Sequence, residues 1–118
     1  MSTYNILIVE DEFIPANYLK KILQQSGHKV IGIADSKESV MTYLDNQIEI
    51  DLILMNIKVK GKSDGIETAK IIQSHIPINI LFLSAYSDAD FLERTKDISS
   101  IGYLVKPIQA KTLLLLHR

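Results

Sequence analysis

The sequence contains no cysteine and has little excess charge of either sign. Without cysteine, disulfides, thiolate metal sites and cysteine nucleophiles are all excluded. A formal net charge of −1 gives no general reason to expect nucleic acid or an acidic membrane surface as a partner. No basic cluster would bind DNA directly. These absences leave an ordinary globular protein as the starting hypothesis.

Long hydrophobic runs are also missing. No stretch approaches the roughly 20 apolar residues of a membrane helix. The apolar stretch 4–9 is too short for a signal peptide, and acidic residues follow it at once. We therefore expect a cytoplasmic protein without a membrane segment.

Five short apolar runs are present, and they recur along the whole chain. Four of the five are rich in β-branched residues, and all are near-continuous rather than alternating, which is typical of strands covered on both faces. The 118 residues suffice for one domain with a sizeable core. The runs are 4–9, 29–34, 51–55, 78–84 and 101–105.

Helix-length segments separate these runs, with apolar residues at three- and four-residue spacing. Pro15 falls in the first turn of its helix, and Ser36 can cap the next one. The resulting βαβαβαβαβα pattern predicts right-handed crossovers and a doubly wound α/β sandwich of three layers. The shared faces are Ala16, Leu19 and Leu23; Val40, Tyr43 and Leu44; and Ile66, Ala69 and Ile72.

The predicted last helix, 108–118, contains four consecutive leucines and has no C-cap. A chain that stops inside a helical pattern suggests a domain from a longer protein. We therefore expect residues 1–118 to form one domain of a larger regulator, with an output domain or partner downstream.

Polar residues follow the predicted strands, where open α/β sheets place their sites. Glu10, Asp11 and Glu12 follow the first strand. Adjacent carboxylates repel one another unless a cation neutralises them, and hard oxygen ligands suit Mg²⁺. Alternatively, Asp11 and Glu12 only begin a helix and interact with its positive end.

The other strand ends carry Asn56, Ser84 and Lys106. A hydroxyl and an ammonium group on neighbouring strands can both donate to a phosphoryl oxygen. Taken singly, a serine there is more often a cap and a lysine more often a solvated residue. Their joint placement beside the acids predicts a combined metal and phosphoryl site.

Four segments in this order and spacing resemble the receiver domain of two-component response regulators: ILIVEDE, LILMNI, LFLSAYSD and GYLVKP. The resemblance covers essentially the whole chain. It implies a flavodoxin-like (βα)5 fold with a parallel five-stranded sheet in the order 2-1-3-4-5. It also implies a phosphoryl donor, either a sensor histidine kinase or a phosphotransfer protein, and Mg²⁺ as cofactor.

The resemblance also implies roles for individual residues. Glu10 and Asp11 match the acidic pair that holds Mg²⁺, although both are Asp in the commonest form of the family. The backbone carbonyl of Lys58 matches the position that completes the metal shell. Ser84 and Lys106 match the phosphoryl contacts, and Tyr103 matches the aromatic switch residue that follows Ser84.

Asn56 falls on the phosphoacceptor position, where the family pattern requires Asp. A carboxylate can attack phosphorus, whereas a carboxamide is a poor nucleophile whose oxygen can still bind a metal. We expect the site to keep part of its Mg²⁺ affinity and to lose aspartyl phosphorylation. The asparagine is either an engineered block or natural, and the retained site residues favour an altered copy of a working receiver.

Other interpretations stay open. A phosphorylation-independent module would use the face of the fourth helix, fifth strand and last helix, which could also form a homodimer. A flavodoxin-like cofactor protein is disfavoured by the acids after the first strand. No independent enzyme activity is expected, because the histidines form no triad and are predicted to lie at the surface. The residues on that face are Asp90, Arg94, Lys96 and Lys111, and the histidines are His28, His75 and His117.

Overall fold

The computed structural model describes residues 3–46, 48–57, 65–84 and 102–105. Five strands and three helices lie in these residues, and each strand matches a predicted run to within one residue at either end. The predicted fourth and last helices lie outside the described residues. In chain order the elements are β1 Asn5–Val9, α1 Phe13–Gln25, β2 Lys29–Ala34, α2 Lys37–Asp45, β3 Leu52–Asn56, α3 Gly65–Gln73, β4 Asn79–Ser84 and β5 Gly102–Val105.

The strands form one parallel sheet in the order β2-β1-β3-β4-β5. This confirms the predicted doubly wound α/β fold and its strand order. After β1 the chain moves to one side to form β2 and then crosses to the other side to form β3. The winding therefore reverses between β1 and β3, and the crevice beyond their carboxyl ends is where such sheets place a site.

Successive residues of the central strands face opposite sides of the sheet and belong to two separate cores. Leu7, Val9 and Phe82 pack in the core that includes Ile66 and Ile72 of α3. Their strand neighbours pack on the other face with α1, in a cluster that contains Ile6, Ile8, Leu54, Leu83, Leu19 and Leu23. Because both faces are covered by helices, these strands have no polar face, which explains their uninterrupted apolar sequence.

Two helix ends follow local rules, and the sequence predicted the first of them. The Ser36 hydroxyl accepts a hydrogen bond from the Ser39 N–H at 3.3 Å and caps α2. At the end of α1, Gly27 adopts a φ of +93°. Its N–H donates to the carbonyl of Gln24, and the His28 N–H donates to that of Leu23. This is the Schellman arrangement, which favours glycine at the left-handed position.

The surface prediction for His28 is wrong. Its side chain is only 4% exposed and its ring stacks on Tyr4, with centroids 5.1 Å apart. Its Nδ1 accepts a hydrogen bond from the Tyr4 N–H at 3.1 Å. The turn after Gly27 directs the chain back toward β1, so a polar residue in a turn becomes buried. His75 is exposed as predicted, and His117 lies outside the described residues.

Among the helices that the structure describes, none combines the length and the apolar character needed to cross a membrane.

Candidate functional site at the ends of β1 and β3

The carboxyl ends of β1 and β3 bring Glu10 and Asn56 side by side. The two strands pair in register up to Val9 and Met55, so the next residue of each lies at the same edge. Both polar side chains are almost fully buried, at 2% and 5% exposed. The Asn56 Nδ2 donates a hydrogen bond to the Glu10 Oε2 at 3.2 Å. The residues are 46 positions apart in sequence, and only the parallel pairing unites them.

The Glu10 carboxylate is also held by the chain around it. Its Oε2 accepts a second hydrogen bond from the backbone N–H of Glu12 at 3.2 Å. The Glu10 backbone N–H donates to the carbonyl of Ala34 and extends the β1–β2 ladder by one residue. A buried carboxylate requires such donors, because removal from water is otherwise very costly. Glu10 is therefore fixed in position by both its backbone and its side chain.

Three carboxylates cluster at this edge. Oxygen atoms of Glu10, Asp11 and Glu12 all lie within 4.8 Å of one another, with Glu10 buried and the other two exposed. Such hard oxygen donors, partly open to solvent, are of the type that Mg²⁺ prefers because it retains several waters. The donor set thus fits the predicted cation.

The sequence left open whether Glu12 is a cation ligand or only the start of a helix. It is the N-cap residue of α1, which agrees with the helix-start interpretation, but its side chain makes no capping hydrogen bond. Instead its carboxylate lies within the three-residue acidic cluster. The resemblance gave metal roles only to Glu10 and Asp11, whereas the unbroken acidic run included Glu12 among the candidate cation ligands.

The end of β3 is fixed from two sides. The Ile57 N–H donates to the carbonyl of Leu83 in β4 at 3.0 Å. The Ile57 carbonyl accepts a hydrogen bond from the Gly65 N–H at 2.6 Å. A Cβ on Gly65 would overlap the backbone oxygen of Asn56, so the first residue of α3 must be this small. These contacts hold the Asn56 backbone in place beside the acidic cluster.

The remaining predicted residues are described only in part. Ser84 is the last residue of β4 and pairs with Val105, and Tyr103 in β5 pairs with Phe82. The side chains of Ser84 and Tyr103 lie outside the described part of the chain. Lys58 and Lys106 lie outside it entirely, as do Asp90, Arg94, Lys96 and Lys111. Glu10, Asp11 and Asn56 are thus the predicted metal-site residues that the structure brings together.

The chain matches the family model of the response regulator receiver domain over residues 6–117. It therefore belongs to that family, whose members are the receiver domains of two-component signalling.

Two curated regulators and one solved structure illustrate the likeness. The chain is 35% identical to an uncharacterized transcriptional regulatory protein, YbdJ, of Bacillus subtilis, over 100% of the chain and 51% of the relative. It is 34% identical to the transcriptional regulatory protein PdtaR of Mycobacterium tuberculosis, over 92% of the chain and 52% of the relative. The chain therefore spans about half the length of these curated relatives.

The solved structure is the N-terminal domain of a response regulator/sensory box/GGDEF three-domain protein from Carboxydothermus hydrogenoformans. It superimposes with a TM-score of 0.85 at 29% identity, covering 98% of this chain and 90% of that one. The receiver fold inferred from strand order is thus shared with a solved member of the family.

Proposed function

We propose that this domain is a receiver whose site is arranged for Mg²⁺-dependent phosphoryl acceptance but whose acceptor position cannot be phosphorylated. The observation that carries the proposal is the position of Asn56, which is buried at the end of β3 and bonded to Glu10. A carboxylate at this position would lie against Glu10, one of the acids proposed to bind the cation. An asparagine there preserves the shape of the site and removes its nucleophile.

Whether position 56 can be phosphorylated depends on whether its side chain is a carboxylate or an amide. An Asp carboxylate would form a new O–P bond while the P–N bond of a phosphohistidine breaks, giving an acyl phosphate. The Asn56 amide nitrogen has its lone pair delocalised into the carbonyl, and the amide oxygen is a weak nucleophile. No aspartyl phosphate is therefore expected on the native chain, and no independent enzyme activity is proposed.

Mg²⁺ would be held by Glu10 and Asp11, with the Asn56 Oδ1 and the Lys58 carbonyl completing the protein ligands. The ion supplies positive charge that neutralises a transferring phosphoryl group. Ser84 and Lys106 would donate to the phosphoryl oxygens, with Tyr103 following Ser84. The close carboxylates of Glu10, Asp11 and Glu12 support the cation part of this proposal.

The partners follow from the family. A sensor histidine kinase or a phosphotransfer protein would be the phosphoryl donor, in the cytoplasm. Two relatives of about twice this length are named as transcriptional regulatory proteins, which supports a downstream output domain or partner. A homodimer through the fourth helix, fifth strand and last helix is proposed on the family resemblance alone.

Labelling of the restored acceptor tests the proposal. The native chain and its Asn56→Asp variant are incubated with acetyl phosphate and Mg²⁺, and intact masses are compared. A gain of one phosphoryl group is expected in Asn56→Asp and not in the native chain. The double variant Asn56→Asp, Asp11→Asn is the matched control and should label far more slowly.

Two outcomes would contradict the proposal. Labelling of the native chain to the same extent would show that position 56 is not the acceptor. Failure of a folded Asn56→Asp variant to label would instead favour a phosphorylation-independent interaction module.

A further inference from the structure

The hydrogen bond between Asn56 and Glu10 compensates a buried acid that is also a proposed cation ligand. The Glu10 carboxylate is 2% exposed, and its Oε2 accepts from the Asn56 amide and the Glu12 backbone, both at 3.2 Å. A buried charge requires compensation by donors or by an ion of opposite sign. The Asn56 N–H group supplies part of this compensation without any ion.

We propose that the Asn56 carboxamide substitutes for a divalent cation in the free domain and competes with that cation for Glu10. The inference rests on the proposed function, since it takes Glu10 and Asp11 as cation ligands. It adds that position 56 controls cation occupancy as well as phosphorylation.

The two polar groups of a carboxamide, the NH2 and the carbonyl oxygen, explain the competition. The NH2 group has two donors and no available lone pair, whereas only the oxygen can bind a metal. The Asn56 Nδ2 donates to the Glu10 Oε2, so the NH2 group of the amide faces the carboxylate. The Glu10 Oε2 already accepts two hydrogen bonds, so a cation that binds this oxygen displaces one of them. The proposal assigns that displacement to Asn56, whose oxygen becomes a ligand only after its amide turns.

The surroundings restrict how the bond can break. Asn56 is only 5% exposed, and its backbone oxygen lies against Gly65. The Ile57 backbone is bonded to both Gly65 and Leu83. Because the backbone is held on both sides, the adjustment falls on the side-chain torsions of Asn56.

The proposal predicts the direction in which loss of the Asn56 side chain changes the Mg²⁺ affinity. A hydrogen bond to a charged group contributes enough to lower cation affinity by about ten- to a hundredfold when it must be broken. Mg²⁺ readily keeps water in a vacant ligand position, so loss of the Asn56 oxygen costs less. Asn56→Ala should therefore bind Mg²⁺ more tightly than the native chain. If Asn56 acted only as a cation ligand, Asn56→Ala would bind Mg²⁺ more weakly.

Magnesium titrations followed by thermal melting give the first measurement. In EDTA, Asn56→Ala should melt below the native chain, and Mg²⁺ should raise its melting temperature by more than that of the native chain. Asp11→Asn is the matched control, because it removes the charge of a proposed cation ligand and leaves the Asn56–Glu10 bond in place. A smaller Mg²⁺ response in Asn56→Ala than in the native chain would overturn the proposal.

A second measurement observes the amide itself and does not depend on the stability of a variant. The side-chain NH2 resonances of Asn56 are assigned in ¹⁵N-labelled native protein by their absence from Asn56→Ala. Saturation with Mg²⁺ should shift them, and in Asp11→Asn the shift should require a higher Mg²⁺ concentration. Unchanged Asn56 resonances at saturation, or no Mg²⁺ binding by either the native chain or Asn56→Ala, would refute the competition. Acetyl phosphate labelling of Asn56→Asp would still test the proposed acceptor position independently.

Discussion

Gly65 at the start of α3 approaches the backbone oxygen of Asn56 so closely that no Cβ fits between them. The contact joins the helix start to the residue at the centre of the site. The Gly65 N–H also donates to the Ile57 carbonyl, which ties the first residue of α3 to the end of β3.

Gly65→Ala should destabilise the domain by about 1–3 kcal/mol, the usual effect of overpacking. Alanine is the better helix former by about 1 kcal/mol, but the obstructing atoms belong to the backbone and cannot rotate away. Urea unfolding measures the difference. Lys70→Ala, at an exposed position of the same helix, is the control and should change stability by less than about 0.5 kcal/mol. Equal stability of Gly65→Ala and the native chain would contradict the close contact.

Gly32 offers a contrasting case, because a Cβ there would overlap the ring and hydroxyl of Tyr43 from α2. Gly32→Ala should cost less than Gly65→Ala, about 1 kcal/mol, because the end of a side chain can move away whereas backbone atoms cannot. Here the obstacle is a half-buried side chain, so Tyr43→Leu should relieve the clash. A double-mutant cycle in urea should therefore give a favourable coupling between Gly32→Ala and Tyr43→Leu. Strictly additive effects would show that the two residues do not touch in solution.

Asn56→Asp should make the cation-free domain less stable by about 1–3 kcal/mol. The substitution replaces a hydrogen bond to Glu10 with a second carboxylate, so like charges face each other in a buried site. Thermal melts in EDTA measure the loss of stability. Added Mg²⁺ should reduce the difference in stability between Asn56→Asp and the native chain. Asn46→Asp, at an exposed position, controls for the change of residue type. A native chain clearly less stable than Asn56→Asp in EDTA would refute this expectation.

His28 should contribute to stability through both its ring and its Nδ1 atom. His28→Ala removes the stack on Tyr4 and the acceptor of the Tyr4 N–H, and should cost about 2–4 kcal/mol. His28→Phe keeps a ring and removes the Nδ1 acceptor, and should cost about 1–2 kcal/mol. His75→Ala, at an exposed site, is the control for urea unfolding. If His28→Phe matched the native chain, the Nδ1 bond would contribute nothing.

Much of the fold could be predicted from the residues because its causes are local or periodic. Strands buried on both faces have uninterrupted apolar sequences, and this is why the predicted runs match β1 to β5 within one residue. Ser36 caps α2, and Pro15 lies in the first turn of α1, for reasons contained in a few neighbouring residues. The acidic residues after β1 likewise allowed one side of the site to be predicted from the sequence.

The sequence by itself determined the order of elements, the apolar faces and the identity of the residue at the acceptor position. Tertiary structure alone decided which polar groups meet: Asn56 donating to Glu10, Gly65 against the end of β3, and His28 buried under Tyr4. The physical reason is the separation along the sequence between the residues that interact. Helix and strand patterns arise from neighbours along the chain, whereas these contacts join residues brought together by strand pairing and by the turns between elements.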